Sequence, residues 1–447
     1  MVFPPAFVTR MHAMLGDEVD EFLAALANPR EGLRTNSLRS SSDQLGWLLP
    51  FELTPIPGVS DGWFIRSGER PGKHPYHAAG LYYVQDPGSM LVAAAMDPRP
   101  GERVLDLAAA PGGKATHLAA LMRNEGVLVA NDVARGRARE LAGNLERCGA
   151  RNCIVLSETA DRLARHFGAW FDRVLLDAPC SGESMFHKSA AAVADWSPES
   201  VAGCARRQGD LLRSAADLTR PGGLLVYSTC TFSPEENEAI VAAFLTRDRR
   251  FAPVELPVPE RAQRVGEGAY RLWPHRNFGA GHFVAGLRRS DASEGDGPLG
   301  KPWRLAPSRD ALRRLAEFAA ETFCEGVYDV ARVEQLGREI CELPADSPSM
   351  RGLRVVRAGL SLGTLERDRL KPAYALALAV PPESAAHEVA LELEDERVEA
   401  YLRGHPIEAE GDPGWAPIMV EGFALGWGKR VDSTVKNHYP KGLRWTG

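Results

Sequence analysis

Short apolar segments alternate with longer amphipathic ones between residues 103 and 245, and this alternation limits the fold more than any other feature of the chain. Five apolar runs have the length of buried strands: 103–107, 127–130, 153–156, 172–176 and 224–228. The segments that separate them have helical spacing of apolar residues. Repeated strand–helix units form a largely parallel sheet with helices on both faces. The sequence therefore predicts an α/β fold with a doubly wound sheet.

Composition narrows the class of protein. At 447 residues the chain has room for two or three domains. Its 44% hydrophobic and 25% charged residues are typical of a globular protein. The formal net charge of −6 excludes a general polyanion binder, so any contact with nucleic acid must come from a local basic patch.

The seven cysteines are odd in number and sparse, which argues against a disulfide framework and for a reducing compartment. The sequence contains no Cys-x-x-Cys or His-x-x-x-His pair, so no metal is expected. No apolar stretch reaches the roughly 20 residues of a membrane span, and the N-terminus lacks a signal-peptide pattern. A cytoplasmic protein without a membrane segment is expected.

Changes of pattern along the chain predict its domains. A helix is predicted from residue 5 to about 26, and the polar stretch at 289–298 predicts a linker. Beyond it, 303–345 is predicted to be mostly helical and 351–447 to consist of short strands. The predicted units are an N-terminal α+β segment at 1–90, the doubly wound domain at 91–289, a linker at 290–302, an α/β segment at 303–385 and a β-rich module at 386–447. Because the linker marks a boundary, a chain cut at about residue 390 is expected to stay folded.

Two cysteines follow predicted buried strands directly. They lie in Asp-Ala-Pro-Cys-Ser-Gly at 177–182 and in Tyr-Ser-Thr-Cys-Thr at 227–231. An isolated cysteine is most often a small buried hydrophobic residue, but Pro179 and Gly182 are typical of a loop. Active sites of open parallel sheets lie at the carboxyl ends of the strands. The two thiols are therefore predicted to meet there and to take part in covalent chemistry.

The predicted strand at 103–107 runs into Ala-Ala-Ala-Pro-Gly-Gly-Lys at 108–114, which predicts a ligand-binding turn before a helix. Gly112 and Gly113 allow the backbone to pass close to a ligand, and the start of the helix offers unpaired N–H groups. The turn matches neither the dinucleotide fingerprint nor the Walker loop. Asp132 ends the next strand, where a carboxylate can accept hydrogen bonds from both hydroxyls of a ribose. This combination suits S-adenosylmethionine; the alternative is a plain strand–helix connection in which Asp132 caps the helix.

Together these motifs resemble the RNA cytosine-C5 methyltransferases of the Nol1/Nop2/Sun family, and above all its bacterial RsmF-type branch, which modifies small-subunit ribosomal RNA. The resemblance covers nearly the whole chain and implies a Rossmann-like methyltransferase sheet and a C-terminal PUA-like module. Two departures stand out, since Ser184 replaces a frequent glycine and the third cofactor motif, at 157–161, matches only loosely. The matching segments are 105–114, 176–183, 185–186, 227–237, 271–275, 281–283, 425–429 and 436–444.

Carbon 5 of cytosine is a poor nucleophile, and addition of a thiolate to carbon 6 activates it. The thiol pKa must therefore be lowered by its site. Spacing alone leaves open which cysteine attacks. DNA cytosine methyltransferases use a Pro-Cys cysteine, here Cys180, whereas the resemblance to the RNA family implies Cys230 as nucleophile and Cys180 in product release.

The resemblance also implies roles for the residues around the thiols. Asp177 is assigned to contact N3 of the base, with loop capping as its alternative. Lys114 is assigned to organise the site, with a solvent-facing lysine as its alternative. The predicted cofactor-binding residues are Ala109, Ala110, Pro111, Gly112, Gly113, Lys114, Asp132, Arg137, Asp161 and Asp177.

Basic and aromatic residues alternate near the C-terminus, which fits RNA docking on a small β module. A solvated charged surface is the alternative. The predicted RNA contacts are Lys429, Arg430, Lys436, Lys441 and Arg444, interleaved with Trp427, His438 and Tyr439. Aromatic and cationic side chains are also expected around a target base that leaves its stack. The candidates are Phe186, His187, Lys188, Tyr82, Arg271, Trp273 and His275.

The predicted function is transfer of a methyl group from S-adenosylmethionine to carbon 5 of cytosine in small-subunit (16S) ribosomal RNA. The expected partner is ribosomal RNA or the small ribosomal subunit, with no DNA or membrane, and the expected state is a monomer. One alternative is a catalytically idle assembly factor, which would be expected to lose Cys230, Asp177 or the glycine turn. Methylation of cytosine in tRNA is another. A DNA methyltransferase is disfavoured by the Thr-Cys thiol and the C-terminal module.

Overall fold

The computed structural model describes residues 1–291, 305–367 and 369–446. Most of the predicted linker at 290–302 lies outside these residues. Of the helices in the described ranges, none combines the length and the apolar character that a membrane span requires.

The N-terminal segment is an α+β unit. Its predicted first helix is divided by a turn at Gly16, whose φ of +54° favours glycine. Its four-stranded sheet has the order β2-β3-β1-β4. The helices are α1 (Pro5–Leu15), α2 (Val19–Ala27), α3 (Ser42–Leu48) and α4 (Pro75–Ala78), and the strands are β1 (Gly32–Thr35), β2 (Thr54–Pro55), β3 (Gly62–Phe64) and β4 (Tyr82–Val84).

The middle of the chain alternates strands and helices as predicted. The strands are β5 (Arg103–Asp106), β6 (Val127–Asn131), β7 (Cys153–Leu156), β8 (Phe171–Asp177), β9 (Thr219–Thr229), β10 (Phe251–Pro253), β11 (Gln263–Gly266), β12 (Ala269–Leu272) and β13 (His282–Arg289). The helices are α5 (Pro87–Met96), α6 (Gly113–Leu121), α7 (Arg135–Arg147), α8 (Ala160–Phe167), α9 (Ala190–Asp195), α10 (Pro198–Leu218) and α11 (Glu238–Arg247).

The C-terminal part is richer in strands than predicted. The prediction that 303–345 is mostly helical is wrong beyond α12, because β14 and β15 form a hairpin whose two-residue turn begins at Gly337, with φ +64°. The helices are α12 (Arg309–Thr322), α13 (Tyr374–Ala379) and α14 (Glu396–Leu402). The strands are β14 (Val333–Leu336), β15 (Glu339–Glu342), β16 (Val355–Ala358), β17 (Leu360–Leu365), β18 (Leu370–Pro372), β19 (Val389–Leu391), β20 (Ile407–Glu408), β21 (Gly414–Val420), β22 (Phe423–Val431) and β23 (Thr434–Asn437).

The central sheet confirms the doubly wound prediction. Its strand order is β11-β12-β13-β9-β8-β5-β6-β7-β16, and β9, β8, β5, β6 and β7 run parallel. The chain moves outward in opposite directions from β5, first through β6 and β7 and later through β8 and β9. A crevice therefore opens at the carboxyl ends of β5, β6 and β8, where ligands bind in such sheets.

The C-terminal part is built into the rest of the molecule. Strand β16 pairs antiparallel with β7 and so extends the central sheet. In addition, the module at 386–447 shares one apolar core with the N-terminal segment: Leu33 and Tyr82 pack in the same cluster as Ile418 and Leu425. Cutting the chain near residue 390 would expose that core. The expectation of a freely separable tail is therefore wrong.

A shared core predicts that damage in the C-terminal module destabilises the N-terminal segment as well. Leu425→Ala removes a fully buried side chain and should lower the free energy of unfolding by about 2–5 kcal/mol. Thermal unfolding measured by calorimetry should show a single transition, and its midpoint temperature should be lower in Leu425→Ala than in the wild type. The matched control is Val431→Ala on the same strand, where the side chain is 39% exposed and the change should stay within about 0.5 kcal/mol. Two transitions, of which only one moves, would show independent modules.

Candidate active site

The two thiols meet at the carboxyl edge of the central sheet. Cys180 follows β8 in the loop Ala178–Gly182, and Cys230 follows β9 directly. Because β8 and β9 are parallel neighbours with Asp177 opposite Ser228, their ends lie side by side. The two Sγ atoms are 3.2 Å apart, and both side chains are half-buried. This juxtaposition is the one that the two cysteine motifs predicted.

A buried carboxylate holds the loop of Cys180. Glu236 accepts hydrogen bonds from the Ser181 amide at 2.9 Å and from Gln208 Nε2 at 2.8 Å. Gln208 also donates to the Pro179 carbonyl at 3.0 Å, and the Tyr227 hydroxyl donates to the Glu236 carbonyl at 2.6 Å. Both flanks of Cys180 are therefore fixed by hydrogen bonds.

Glu183 connects the two thiol loops to the N-terminal segment. Its fully buried carboxylate accepts from Trp196 Nε1 at 2.9 Å and from the Phe232 amide at 2.9 Å, and it is paired with Arg10 of α1. The next amide, that of Ser184, donates to the Cys230 carbonyl at 3.0 Å. Helix α1 is thus part of the frame that positions Cys230.

An ion pair lies beside the thiols. Lys114, on α6, donates to Asp177 Oδ2 at 2.8 Å and to Ser89 Oγ at 2.9 Å, and Ser228 donates to Asp177 Oδ1 at 2.6 Å. Burial opposes both charges, but Lys114 and Ser228 hold the pKa of Asp177 below its usual value. Asp177 in turn raises the pKa of Lys114 despite burial. Both groups are therefore ionised, and Lys114 is buried and not solvent-facing.

The two thiols differ in acidity. The hydrogen bond with Cys180 and the positive charge of Lys114 lower the pKa of Cys230, against burial and the charge of Asp177, which raise it. The same hydrogen bond and burial raise the pKa of Cys180 well above its usual value. Cys230 is therefore the more acidic thiol of the pair, in the order that the resemblance implied.

The glycine turn forms the opposite wall. Gly112 begins α6 with φ +119°, a conformation that favours glycine, and a Cβ there would come within 3.2 Å of Leu141. The Ala109 amide donates to the Asn131 carbonyl at 2.7 Å, which ties the turn to the end of β6. The Ala110–Pro111 peptide is cis.

Asp132 and Arg137 lie together beside this turn. Asp132 is buried, and its Oδ1 accepts from the Ala134 amide at 2.9 Å. Arg137 donates to the Ala110 carbonyl at 2.6 Å and lies 3.5 Å from Asp132 Oδ2. The structure thus brings the predicted residues of the turn, Asp132 and Arg137 into one contact group.

Asp161 does not join that group. Its carboxylate is 58% exposed and pairs with Arg165 on its own helix at 2.8 Å. The neighbouring Glu158 is buried, but it is paired with Arg354 at 3.2 Å. In the loosely matching segment at 157–161, both acidic side chains are therefore paired with arginines of the protein. Asp161 is no longer a candidate for binding the cofactor.

Sequence reasoning missed Asp106. This residue ends β5 just before the glycine turn, is fully buried, and neither of its carboxyl oxygens has a side-chain hydrogen-bond partner. Burial and the nearby charge of Asp177 raise its pKa to about 8. The sequence signal that could have identified Asp106 is an acidic residue at the end of an otherwise apolar strand. An unpaired buried carboxyl is a natural partner for a cationic ligand.

The predicted C-terminal RNA contacts need one correction. Lys436 and Lys441 are exposed, and Lys429 and Arg444 are half-buried. Arg430 is 3% exposed, and it donates to the carbonyls of Asp412 and Glu388 at 2.9 and 3.3 Å. Successive residues of β22 point to opposite faces, so Lys429 and Arg430 cannot share one surface. Arg430 is structural.

Most aromatic candidates are also structural. They are buried in apolar cores, where their rings cannot reach a substrate: Tyr82, Phe186, Trp273, Trp427 and Tyr439. Arg271 is buried as well and is paired with Glu238 at 2.6 Å, and His275 is paired with Glu18 at 3.0 Å. Of that set, His187 is half-buried and Lys188 is exposed near the thiols.

This fold, with a glycine turn, an acidic residue after the second strand and paired thiols at one sheet edge, is that of a Rossmann-like methyltransferase. The sequence matches four family descriptions: the N-terminal domain of 16S rRNA methyltransferase RsmF at 3–87, 16S rRNA methyltransferase RsmB/F at 93–288, the RsmF first C-terminal domain at 317–380 and the RsmF PUA domain at 388–445. The chain belongs to the RsmF family of 16S rRNA methyltransferases.

Individual relatives agree with this assignment. The ribosomal RNA small subunit methyltransferase F of Klebsiella pneumoniae is 35% identical over 99% of this chain and 96% of its own length. The protein of the same name from Salmonella paratyphi B is 34% identical over the same shares. A methyltransferase homologue from Pyrococcus horikoshii superposes with a TM-score of 0.57 at 31% identity, covering 64% of this chain and 95% of that one. The predicted membership of the bacterial RsmF-type branch is confirmed.

The hydrogen bond between the thiols predicts how Cys230 reacts. Its alkylation by iodoacetamide should proceed at neutral pH, because the thiolate is the reactive form. Cys180→Ala removes the hydrogen bond that lowers the Cys230 pKa, so the pH profile of Cys230 alkylation should shift to higher pH. Mass spectrometry of the Cys230 peptide measures the rate, with the exposed Cys324 as internal reference. An unshifted profile would mean that Cys180 does not stabilise the thiolate.

Proposed function

We propose that this protein transfers a methyl group from S-adenosylmethionine to carbon 5 of a cytosine in 16S ribosomal RNA, with Cys230 as the nucleophile. The observation that carries the proposal is the pair of thiols 3.2 Å apart beside the ion pair of Lys114 and Asp177. Methylation at carbon 5 needs a thiolate and a second group for release, and this edge of the sheet offers both.

The chemistry requires four changes at the base. The Cys230 thiolate adds to carbon 6, and electron density moves to carbon 5, which forms a bond to the methyl group as the bond between that group and the sulfur of its donor breaks. A base then removes the carbon 5 proton, and the carbon 6–sulfur bond breaks to restore the ring and the thiolate. The hydrogen bond from Cys180 favours Cys230 as the attacking thiolate, and Cys180 is left beside the adduct for the release step.

Asp177 and Lys114 support the addition. Addition at carbon 6 is completed when N3 of the base takes up a proton from water, which leaves a neutral enamine with its electron density at carbon 5; the proton returns to water on release. The Asp177 carboxylate, held ionised by Lys114, accepts a hydrogen bond from that N–H. Lys114 lowers the pKa of Cys230, but the charge of Asp177 raises it, so the ion pair serves the base contact and the hydrogen bond with Cys180 favours the Cys230 thiolate.

The residues around the glycine turn suit S-adenosylmethionine, which supplies an electrophilic methyl group when bound. The conformation of Gly112 and the contact of Arg137 with the Ala110 carbonyl leave a backbone turn open to a ligand. The buried carboxylate of Asp132 suits the ribose hydroxyls. The buried, unpaired carboxyl of Asp106 suits a group with positive charge.

Ribosomal RNA or the assembled small subunit is the proposed partner. Of the RNA contacts predicted in the C-terminal module, Lys436 and Lys441 are exposed and Lys429 is half-buried, and these three lysines are assigned to phosphate contacts. We propose that this module binds RNA outside the catalytic cleft and that Arg444 contributes at its edge.

Cys230→Ala should abolish methyl transfer to a 16S rRNA transcript, because no bond to carbon 6 can form. Binding of S-adenosylmethionine should survive, since the glycine turn belongs to other strands. Cys180→Ala should form the adduct and release it slowly, which leaves protein and RNA joined on a denaturing gel. The matched control is Cys324→Ala at an exposed position, which should behave as wild type.

The idle assembly factor makes the opposite prediction. It would bind RNA equally well with or without Cys230 and would form no 5-methylcytosine, as read by bisulfite sequencing of the transcript. Substantial methylation by Cys230→Ala would instead move the nucleophile to Cys180.

Asp132→Ala should weaken binding of S-adenosylmethionine by about 1.5–3 kcal/mol, the usual contribution of a hydrogen bond to a charged group. Calorimetry on the free protein measures the affinity. Asp161→Ala is the matched control, because that carboxylate is exposed and pairs with Arg165, and it should leave the affinity unchanged. Equal effects of the two substitutions would contradict the proposed ribose contact.

A further inference from the structure

A groove with a volume of about 970 Å³ lies between the N-terminal segment and the thiol loops. One wall is the turn from α2 to β1, at residues 27–32, and another is the segment at 65–72. Gln85 and Asp86 lie between these walls and the catalytic domain, and His187 and Lys188 close the far side. Its volume lies within the range that binds small molecules or single nucleotides.

Hydrogen bonds connect the lining of this groove to the active site. Gln85, on its lining, donates to Ser89 Oγ at 3.3 Å. The same hydroxyl accepts from Lys114 at 2.9 Å, and Lys114 is bonded to Asp177. On the other side, Lys188 ends the helical turn Glu183–Lys188, which follows the Cys180 loop. A chain bound at Cys230 therefore has this groove as its neighbour.

One side chain of the groove forms a flat platform. The guanidinium of Arg30 lies 3.5 Å from the centre of the Phe64 ring, a stacking distance. Phe64 is buried and Arg30 is exposed, so the ring supports one face of the guanidinium while Arg30 lines the groove. RNA-binding proteins stack unpaired bases on such guanidinium planes.

Positive charge accompanies the platform. Arg66 and Lys188 line the groove and are exposed, and Arg70 and Lys73 lie next to it. In the described part of the chain none of these four cations has a carboxylate within ion-pair distance. Three carboxylates, those of Glu31, Glu69 and Asp86, line the same groove, and Asp86 accepts from the amides of Ser89 and Ala280. The four cations make no ion pair with these acids and are available for an anionic ligand.

We propose that this groove holds the nucleotide next to the target cytosine, with its base stacked on Arg30 and the phosphates beside Arg66 and Lys188. The inference rests on the proposed function, since the target base must be at Cys230. When the target base leaves the stack, the adjacent base loses its stacking partner. A planar guanidinium beside the site replaces that stacking contact. A single-stranded RNA segment fits a groove that combines a flat platform with unpaired cations.

The test compares Arg30→Ala, Arg30→Lys, Arg66→Ala and Lys188→Ala with the wild type. Affinity for a naked 16S rRNA transcript and KM for its methylation are measured at two or more salt concentrations. Arg30→Ala should weaken both roughly 5- to 100-fold, the range of stacking losses. Arg30→Lys keeps the positive charge but lacks the planar guanidinium on which a base can stack, so its RNA affinity should remain below that of the wild type. Arg66→Ala and Lys188→Ala should each reduce the salt slope of binding by about 0.7.

Two controls separate the groove from the rest of the enzyme. Arg249→Ala removes an exposed cation far along the chain from the groove and should leave affinity and KM unchanged. Affinity for S-adenosylmethionine and the melting temperature should stay at wild-type values in every variant. At saturating RNA, kcat should change less than KM, because the thiols are untouched.

Unchanged RNA affinity and KM in Arg30→Ala would overturn the inference. So would a loss seen only with assembled small subunits and not with naked RNA, because the groove would then dock a ribosomal protein. Absence of 5-methylcytosine from the wild-type reaction would contradict the proposed function instead. RNA affinity measured without cofactor would still decide the role of the groove in that case.

Discussion

The ion pair between Lys114 and Asp177 is the interaction on which the site depends. It joins the first turn of α6, which belongs to the glycine turn, to the end of β8, from which the Cys180 loop starts. Lys114 also donates to Ser89, which accepts a hydrogen bond from Gln85 on the lining of the groove, and the charge of Lys114 acts on the pKa of Cys230. One buried cation therefore joins the glycine turn, the end of β8 and the side chain of Ser89.

The sequence allowed prediction of the parallel sheet, the meeting of both thiols and the turn at Gly112, because each depends on local pattern or on the rule that strand ends share an edge. Contacts between residues far apart in the sequence could not be predicted from it. Nothing local shows that β16 extends the central sheet, that Arg430 faces inward while Lys429 faces out, or that Asp106 is left unpaired. Those features follow from which surfaces meet in three dimensions, and a single sequence does not encode that meeting in any short motif.

The shared cores join the parts of the chain to which we assign RNA recognition and catalysis. The C-terminal module packs on the N-terminal segment through Tyr82 and Leu425, and the N-terminal segment reaches the thiol loops through the pairing of Arg10 with Glu183. Movement of the module would therefore disturb the loop that carries the Cys230 contact. RNA bound on the proposed outer surface would therefore be held at a defined distance from Cys230, which would favour one target position over a range of them.

Charge balance connects the cofactor to the nucleophile. Burial and the charge of Asp177 raise the pKa of Asp106 to about 8, whereas the pKa of Cys230 is lowered. Asp106 and Cys230 both lie in the field of Asp177 and Lys114. A cation bound beside them would favour the ionised form of each, whereas a neutral thioether would not. The Cys230 thiolate would therefore be more stable with the proposed sulfonium donor in place than with its demethylated product, so that the nucleophile is most active when a methyl group is available to transfer.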